Sequence, residues 1–176
     1  MENTYILQAK DISIGYSNKK NSTTVASNVS ISLEKGKLTA LIGANGIGKS
    51  TLLRTLIGIQ WPLSGTVYLE NKDIHSLDNL TLAQHLSVVL TDKLPPSNLT
   101  VFELIALGRQ PYTNWIGKLS AEDITKVKEA MELTQISHLA DKRHFEISDG
   151  QLQIVLIARA LAQDTPLIIL DEPTTH

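Results

Sequence analysis

The stretch GANGIGKST, residues 43–51, combines glycine, lysine and hydroxyl residues at a spacing suited to binding phosphate. Gly43, Gly48, Lys49 and Ser50 match the pattern G-x-x-x-x-G-K-[ST] between an apolar run and a helix-like segment. Glycines allow successive backbone N–H groups to turn inward around phosphate oxygens. Lys49 would reach the terminal phosphates as a point charge, and the Ser50 hydroxyl would coordinate Mg²⁺. The pattern predicts a nucleoside triphosphate site; the alternative is a glycine-rich turn in an ordinary strand-to-helix connection.

A pair of carboxylates follows the apolar run in PLIILDEPTTH, near the other end of the chain. The carboxyl ends of parallel strands point into the crevice where ligands bind, so Asp171 is predicted to lie beside the phosphate loop and hold magnesium. Glu172, one residue further, would polarise an attacking water as general base. The alternative is a strand end followed by a solvated acidic turn at Pro173.

A second anion site is predicted at ISDGQ, just upstream of that run. Ser148 has the position of a helix N-cap, and Gly150 and Gln151 would leave backbone N–H groups and a hydroxyl open to an anion. One chain has no need for two γ-phosphate sites, so this helix end is predicted to address a nucleotide bound to a second subunit. ATP would then be sandwiched in a dimer. The alternative is an ordinary capped core helix, which needs no ligand.

Two kinds of strand pattern indicate how these residues are positioned. DISIGY, NVSISLEKG and GTVYLENKD alternate apolar and polar residues, which favours a half-buried antiparallel sheet. LTALIG and PLIIL are continuous apolar runs, as in parallel strands covered by helices on both faces. The polar stretch 17–24 is predicted to be a hairpin loop. The predicted class is α/β with an antiparallel part.

Three helix starts carry the spacing of a capping box, in which a hydroxyl and an acidic or amide side chain three residues later satisfy each other's backbone N–H groups. These pairs are Thr100 with Glu103, Ser120 with Asp123, and Ser148 with Gln151.

The length and composition of the chain limit the classes of protein to which it can belong. A chain of 176 residues with 42% hydrophobic content suffices for one buried core. Its net charge of −2 lacks the positive excess of nucleic-acid-binding proteins, and it has no cysteine, which excludes disulfides and fits the cytosol. We expect neither a secretory signal nor a membrane span, so any membrane role would depend on a partner.

With these stretches in order, the sequence resembles the ATP-binding cassette (ABC) family over essentially its whole length. GANGIGKST (Gly43, Ala44, Asn45, Gly46, Ile47, Gly48, Lys49, Ser50 and Thr51) resembles Walker A, LIILDE Walker B, PTTH the start of the D-loop, and ISDGQ the signature. The resemblance implies a P-loop NTPase fold with a mostly parallel central sheet, an N-terminal antiparallel subdomain and a helical subdomain at about 92–150. It also implies a single domain over 1–176, ATP and Mg²⁺ as cofactors, and a homodimer.

Two further stretches extend the resemblance. Tyr16 in IGY is similar to the aromatic residue that stacks on adenine; the alternative is a half-buried strand tyrosine. Residues 98–115, NLTVFELIALGRQPYTNW, are similar to the segment that docks on the permease in importers of ferric siderophores, haem and cobalamin. This implies an ATPase that energises such an importer, peripheral on the cytoplasmic face of the inner membrane. The alternative for the segment is an amphipathic surface helix with a loop.

Three positions depart from the family pattern. Ile147 replaces the usual leucine, and Asp149 places a carboxylate where glycine is commoner, which predicts weaker interfacial ATP binding. Thr91 stands where the Q-loop glutamine is expected, so coupling would rely on other contacts. The family continues beyond this point to a switch histidine, which His176 does not resemble. We therefore expect a C-terminally incomplete domain that binds ATP weakly and hydrolyses it poorly.

Two other functions stay open on the sequence. One is a soluble ABC ATPase that acts without a permease, on nucleic acid or ribosomes, which the near-neutral charge and the 98–115 segment disfavour. The other is a P-loop kinase or a nucleotide-binding fragment with little hydrolysis. A kinase would transfer phosphate to an acceptor and would need no role for Ser148.

Overall fold

The structure of the chain, a computed structural model, describes residues 4–17, 21–90 and 97–171. The chain divides into two units, Met1–Leu82 and Ala83–His176. The helices and strands of the first unit are β1 (Tyr5–Ser17), β2 (Ser22–Glu34), α1 (Lys49–Leu56), β3 (Ser64–Leu69), β4 (Lys72–Asp73) and the start of α2 (Asn79–His85). Those that follow are β5 (Leu86–Val89), α3 (Val101–Ala106), α4 (Ala121–Leu133), α5 (Asp149–Ala162) and β6 (Leu167–Leu170).

An antiparallel sheet of order β2-β1-β3-β4 forms the first unit, as the alternating segments predict. In β2, Val29, Ile31 and Leu33 are half-buried, whereas Ser30 and Ser32 between them are exposed. Helix α1 contacts β1, and both contribute buried apolar residues to the core of this unit. The buried residues of that core are Ile6, Leu7, Ala9, Ile12, Ile14, Leu52, Leu56, Ile57, Val67, Leu69 and Ile74.

The polar stretch 17–24 was predicted to be a hairpin loop, but the paired strands β1 and β2 extend into it. Tyr16 pairs with Thr23, and Ser17 pairs with Ser22, so strand structure enters the stretch from both sides. β-branched threonines at 23 and 24 suit a strand, which explains why polarity alone misplaced the boundary. Residues 18–20 lie outside the described part of the chain.

The apolar run LTALIG, predicted as a parallel strand, is not a strand in this structure. Residues 37–44 have no regular secondary structure, and Leu38 and Ile42 are exposed. A buried parallel strand needs hydrogen-bonded neighbours, and the sheet of the first unit is antiparallel throughout. The prediction was therefore wrong for this segment, although the loop that follows it was placed correctly before a helix.

The second unit contains a parallel pair of strands, as the continuous apolar run PLIIL predicts. Strands β5 and β6 align from Leu86 opposite Leu167 to Val89 opposite Leu170. At one end of the pair the Thr165 hydroxyl donates to that of Ser87 at 3.0 Å, joining positions 78 residues apart. At the other end the Asp171 N–H donates to the Val89 carbonyl at 2.9 Å, which extends the ladder past β6.

All three predicted capping boxes are present. Thr100, Ser120 and Ser148 each accept a hydrogen bond from the backbone N–H three residues later, at the starts of α3, α4 and α5. The three helices share one buried core, which extends to the C-terminus of α5 beyond the boundary predicted for a helical subdomain. Its buried members are Val101, Leu104, Ile105, Val127, Ala130, Met131, Ile136, Leu139, Val155, Ala158 and Ala162.

A buried ion pair inside the 98–115 segment was not predicted from the sequence. Arg109 is only 4% exposed, and its Nε donates to an Asp123 carboxylate oxygen at 2.8 Å. Its Nη1 donates to the Ala162 carbonyl at 2.9 Å, at the end of α5. Gly108 next to it lies so close to the Arg159 carbonyl that any side chain there would collide with it. Gly108 and Arg109 are therefore packed into the helical core, whereas Leu107 and Trp115 of the same segment are exposed.

The carboxyl group of Asp123 belongs both to this ion pair and to the capping box of α4. Hydrogen bonding from the backbone N–H of Ser120 lowers the pKa of the Asp123 carboxyl, burial opposes this, and Arg109 contributes further to the lowering. Asp123 therefore carries a full charge at neutral pH, and the guanidinium of Arg109 compensates it inside the helical core.

Candidate nucleotide-binding site

The phosphate loop, residues 43–51, has the backbone conformation that its glycines predict. Gly46 and Gly48 have φ values of 78° and 106°, in the left-handed region that favours glycine. A side chain on Gly48 would also collide with Val25 of β2. Both the dihedral angle and the close approach therefore require glycine at position 48.

Lys49 is the first residue of α1, and its side chain turns back over the phosphate loop. Its ammonium group donates to the carbonyl oxygens of Gly43, at 2.9 Å, and Ala44, at 3.1 Å. An ammonium has three N–H donors, so these two carbonyls do not exhaust it. The positive charge thus lies across the mouth of the loop, where a phosphate chain would be bound.

The beginning of α1 adds to the attraction for an anion. Ser50 and Thr51 lie in its first turn, which contains no acidic side chain. The backbone N–H groups of a first turn point out of the helix and, together with the helix dipole, favour negative charge. Asn45 and Ile47, the other residues of the matched pattern, are exposed within the loop.

Tyr16, predicted to contact adenine, lies in the same unit and touches α1. Its hydroxyl and the Thr51 hydroxyl form a hydrogen bond of 3.0 Å. The tyrosine lies in β1 and is 55% exposed. The structure therefore places an accessible aromatic ring next to the phosphate loop.

The predicted magnesium-binding carboxylate follows β6 directly. Asp171 is 4% exposed at the carboxyl end of the parallel pair. Lys49 belongs to the first unit and Asp171 to the second, so their meeting around one triphosphate stays a prediction. Glu172, Thr91 and His176 lie outside the described residues.

The two residues predicted to hold magnesium have suitable chemistry. The Ser50 hydroxyl and the Asp171 carboxylate are both oxygen donors, which Mg²⁺ prefers. Within residues 4–17, 21–90 and 97–171, no cluster of three or more His, Asp or Glu side chains could hold a metal by itself.

The signature segment, residues 147–151, differs in one detail from its prediction. The Gln151 N–H is not open to a ligand, because it donates to the Ser148 hydroxyl oxygen at 3.3 Å. The Gln151 side chain in turn accepts from the Ser148 N–H at 3.0 Å. The Ser148 hydroxyl accepts in this bond, which leaves its own proton to donate.

The approach to the signature segment is open at Gly150. Gly150 is exposed, and a Cβ built on it would have no neighbour within 4 Å. Asp149 is also exposed and lies in the first turn of α5, where a carboxylate stabilises the helix dipole. This accounts for aspartate at a position where the family pattern has glycine.

Comparison with known proteins identifies the family. The sequence profile of the family described as ABC transporter matches residues 26–175. The chain belongs to the ABC transporter family. Similar curated members include the iron(3+)-hydroxamate import ATP-binding protein FhuC of Bacillus subtilis, 40% identical over 97% of this chain and 62% of its own length. The ferric enterobactin transport ATP-binding protein FepC of Escherichia coli is 38% identical over 96% of the chain and 61% of its own length.

Solved ABC structures share the fold. A dimeric post-hydrolysis state of the ATP-binding cassette MJ0796, bound to ADP and Pi, matches with a TM-score of 0.79 and 27% identity. The match covers 96% of this chain and 74% of that one. The predicted P-loop NTPase fold of ABC cassettes is thus confirmed, and this ABC chain spans about three fifths of the length of the two curated relatives above.

Two contacts of this ABC chain were missed in the sequence. One is the hydrogen bond between Tyr16 and Thr51; the other is the pair of Arg109 and Asp123. Asp123 was recognised as a capping residue, but no spacing rule connects it to an arginine fourteen positions earlier.

In the described parts of the chain, no helix is both long and apolar enough to cross a bilayer.

Proposed function

We propose that this chain is the ATP-binding and ATP-hydrolysing subunit of an importer of ferric siderophore, haem or cobalamin. The observation that carries the proposal is the phosphate loop, with left-handed Gly46 and Gly48 and the Lys49 ammonium held over the loop carbonyls. The names of FhuC and FepC, which refer to hydroxamate and enterobactin iron transport, support the choice of cargo class.

In this proposal each residue has a separate task. The loop amides and Lys49 bind the phosphate chain, and the Tyr16 ring stacks on the adenine. Ser50 and Asp171 hold Mg²⁺, which would neutralise charge on the phosphates when bound. Glu172 accepts a proton from the attacking water, so that the products are ADP and inorganic phosphate.

The proposed assembly is a dimer attached to a permease. Ser148 and Gly150 of one subunit bind the γ-phosphate of the nucleotide held by the second subunit, through a hydroxyl and a helix N-terminus. The 98–115 segment contacts an integral-membrane permease, and the ATPase is peripheral on the cytoplasmic face of the inner membrane. A match to the dimeric cassette MJ0796 supports this arrangement.

Replacing Ser148 tests its role separately from its capping function. Ser148→Ala removes the cap and is expected to cost about 1 kcal/mol of folding free energy. Ser148→Asp keeps a good N-cap but adds a negative charge, so the melting temperature is expected to change little while dimerisation is lost. Dimerisation is measured by light scattering with a non-hydrolysable ATP analogue.

The matched control is Ser120→Asp, which makes the same change at the capping box of α4. This control is expected to dimerise as the unmodified chain does. Dimerisation of the Ser148→Asp chain at unchanged nucleotide concentration would contradict the proposed role of Ser148.

Following the γ-phosphate tests the reaction itself. With ATP labelled at this group and Mg²⁺ present, we expect free labelled phosphate, and Glu172→Gln is expected to lower its release at least about a hundredfold. ATP affinity should be unchanged, because the substitution keeps the size of the side chain. The control is Glu122→Gln, an exposed residue in the first turn of α4. Label transferred to an acceptor molecule would point to a kinase instead.

A further inference from the structure

The hydrogen bond between Tyr16 and Thr51 joins two elements that are distant in sequence. Tyr16 lies near the end of β1, and Thr51 lies in the first turn of α1, with 35 positions between them. Thr51 is 7% exposed, whereas Tyr16 is 55% exposed. The bond therefore connects an accessible aromatic ring to a buried hydroxyl two residues after Lys49.

The end of β1 that carries Tyr16 is fixed from two sides. Tyr16 pairs with Thr23 of β2, and the Gly15 carbonyl accepts a hydrogen bond from the Gln60 side chain. A side chain at Gly15 would collide with the Thr23 carbonyl, so the two strands approach closely here. The backbone at Tyr16 is thus held by contacts that do not involve α1.

Thr51 is fixed independently by its helix. Its carbonyl accepts from the Thr55 hydroxyl at 2.9 Å, and the Leu52 N–H donates to the Gly48 carbonyl at 2.9 Å. Gly48 in turn lies against Val25 of β2. Because each partner is anchored separately, the hydrogen bond sets the direction of the Thr51 hydroxyl group.

Either hydroxyl can be the donor in this bond. A phenol is the more acidic of the two groups and the better donor, and a threonine hydroxyl has two acceptor positions but only one proton. When Tyr16 donates, the proton of Thr51 remains for another acceptor. In the first turn of α1, beside the phosphate loop, the acceptor of suitable chemistry is a phosphate oxygen.

We propose that Tyr16 has a second task, in which its hydroxyl orients the Thr51 O–H toward the phosphate chain of the nucleotide. Tyr16 is then a positioning residue for phosphate as well as a contact for the base. This inference rests on the proposed nucleotide-binding function and deepens it. It predicts that the hydroxyl of Tyr16 strengthens the binding of ligands that contain no base at all.

Inorganic tripolyphosphate separates the two tasks, because it has a phosphate chain and no adenine. Tyr16→Phe keeps the aromatic ring and removes the hydroxyl, and we expect it to weaken tripolyphosphate and ATP by a similar factor of roughly three to ten. Affinities are measured by titration calorimetry. The matched control is Tyr68→Phe, which removes a phenol from β3 in the same unit and should change neither affinity.

Variants at Thr51 show whether the effect passes through that residue. Thr51→Ser keeps the hydroxyl and is expected to bind tripolyphosphate as the unmodified chain does. Thr51→Ala is expected to weaken binding, and adding Tyr16→Phe to it should produce no further loss, because the orienting bond is already absent. Melting temperatures of each variant establish that it is folded.

The possible failures are distinguishable. If Tyr16→Phe binds tripolyphosphate as tightly as the unmodified chain, while ATP binding is intact, the inference is wrong and the proposed function stands. Additive losses in the double variant would equally overturn the inference. If the unmodified chain binds neither ATP nor tripolyphosphate, the proposed function fails, and the inference fails with it.

Discussion

Replacing Lys49 with methionine is expected to lower the kcat/KM for ATP by about a thousandfold. The methionine side chain is unbranched like that of lysine, is one atom shorter and carries no charge. The Lys49 ammonium lies 2.9 Å from the Gly43 carbonyl and 3.1 Å from that of Ala44, so it is already positioned over the phosphate loop. In the proposed function this charge contacts the terminal phosphates, so its loss is expected to weaken binding and turnover together.

The Lys49 prediction is checked by titration calorimetry with ATP and by phosphate release. Lys37→Met is the matched control, because Lys37 is exposed and lies outside the phosphate loop. This control is expected to retain both activities. ATP affinity within twofold of the unmodified chain in Lys49→Met would show that the ammonium does not contact the nucleotide.

The second large effect is on folding. Arg109→Met is expected to lower the free energy of unfolding by about 3–5 kcal/mol, because it leaves the Asp123 carboxylate buried without its partner. The guanidinium also hydrogen-bonds the Ala162 carbonyl at 2.9 Å and lies 4.0 Å from the centre of the Tyr112 ring. Urea unfolding followed by circular dichroism measures the change.

Lys126→Met provides the contrast for Arg109. Lys126 forms ion pairs with Asp164 at 3.0 Å and Glu129 at 3.7 Å, but its side chain is partly exposed and those of Asp164 and Glu129 are mostly exposed. Loss of the Lys126 ammonium is expected to lower the free energy of unfolding far less than loss of the Arg109 guanidinium. If Arg109→Met were no more destabilising than Lys126→Met, the buried pair would have no structural importance.

A double variant separates the cost of an unpaired charge from the loss of packing. Arg109→Met combined with Asp123→Leu removes both charges, and replacing a whole buried pair by apolar residues is often neutral. Asp123 also contributes to the capping box of α4, so we expect partial recovery of stability rather than full recovery.

The sequence was most informative where a few neighbouring residues determine the structure. Each capping box is decided within four positions, and all three were predicted correctly. The turn residues of the phosphate loop are equally local, because a positive φ at Gly46 and Gly48 follows from residue type. The β6 strand was also recognised from one continuous apolar run.

Predictions failed where the structure of a segment depends on residues that are distant in the sequence. LTALIG has the composition of a buried strand, but a strand forms only where a neighbour can pair with it. The partners of Arg109 are 14 and 53 positions away, and no periodicity connects them. The roles of Glu172 and Thr91 stay predictions because both residues lie outside the described part of the chain. The meeting of Lys49 with Asp171 stays a prediction because the two residues belong to different units.

The pairing of β5 with β6 has a consequence for synthesis of the chain on the ribosome. The hydrogen bond between the hydroxyls of Ser87 and Thr165 can form only after Thr165, 78 positions later in the chain, has been synthesised. At the usual rate of translation this takes roughly 4 to 16 seconds. During that time β5 has no parallel partner, whereas the capped helices between the two strands can already form. If those helices cover β5 early, its apolar residues would be shielded from contact with other unfolded chains until β6 leaves the ribosome.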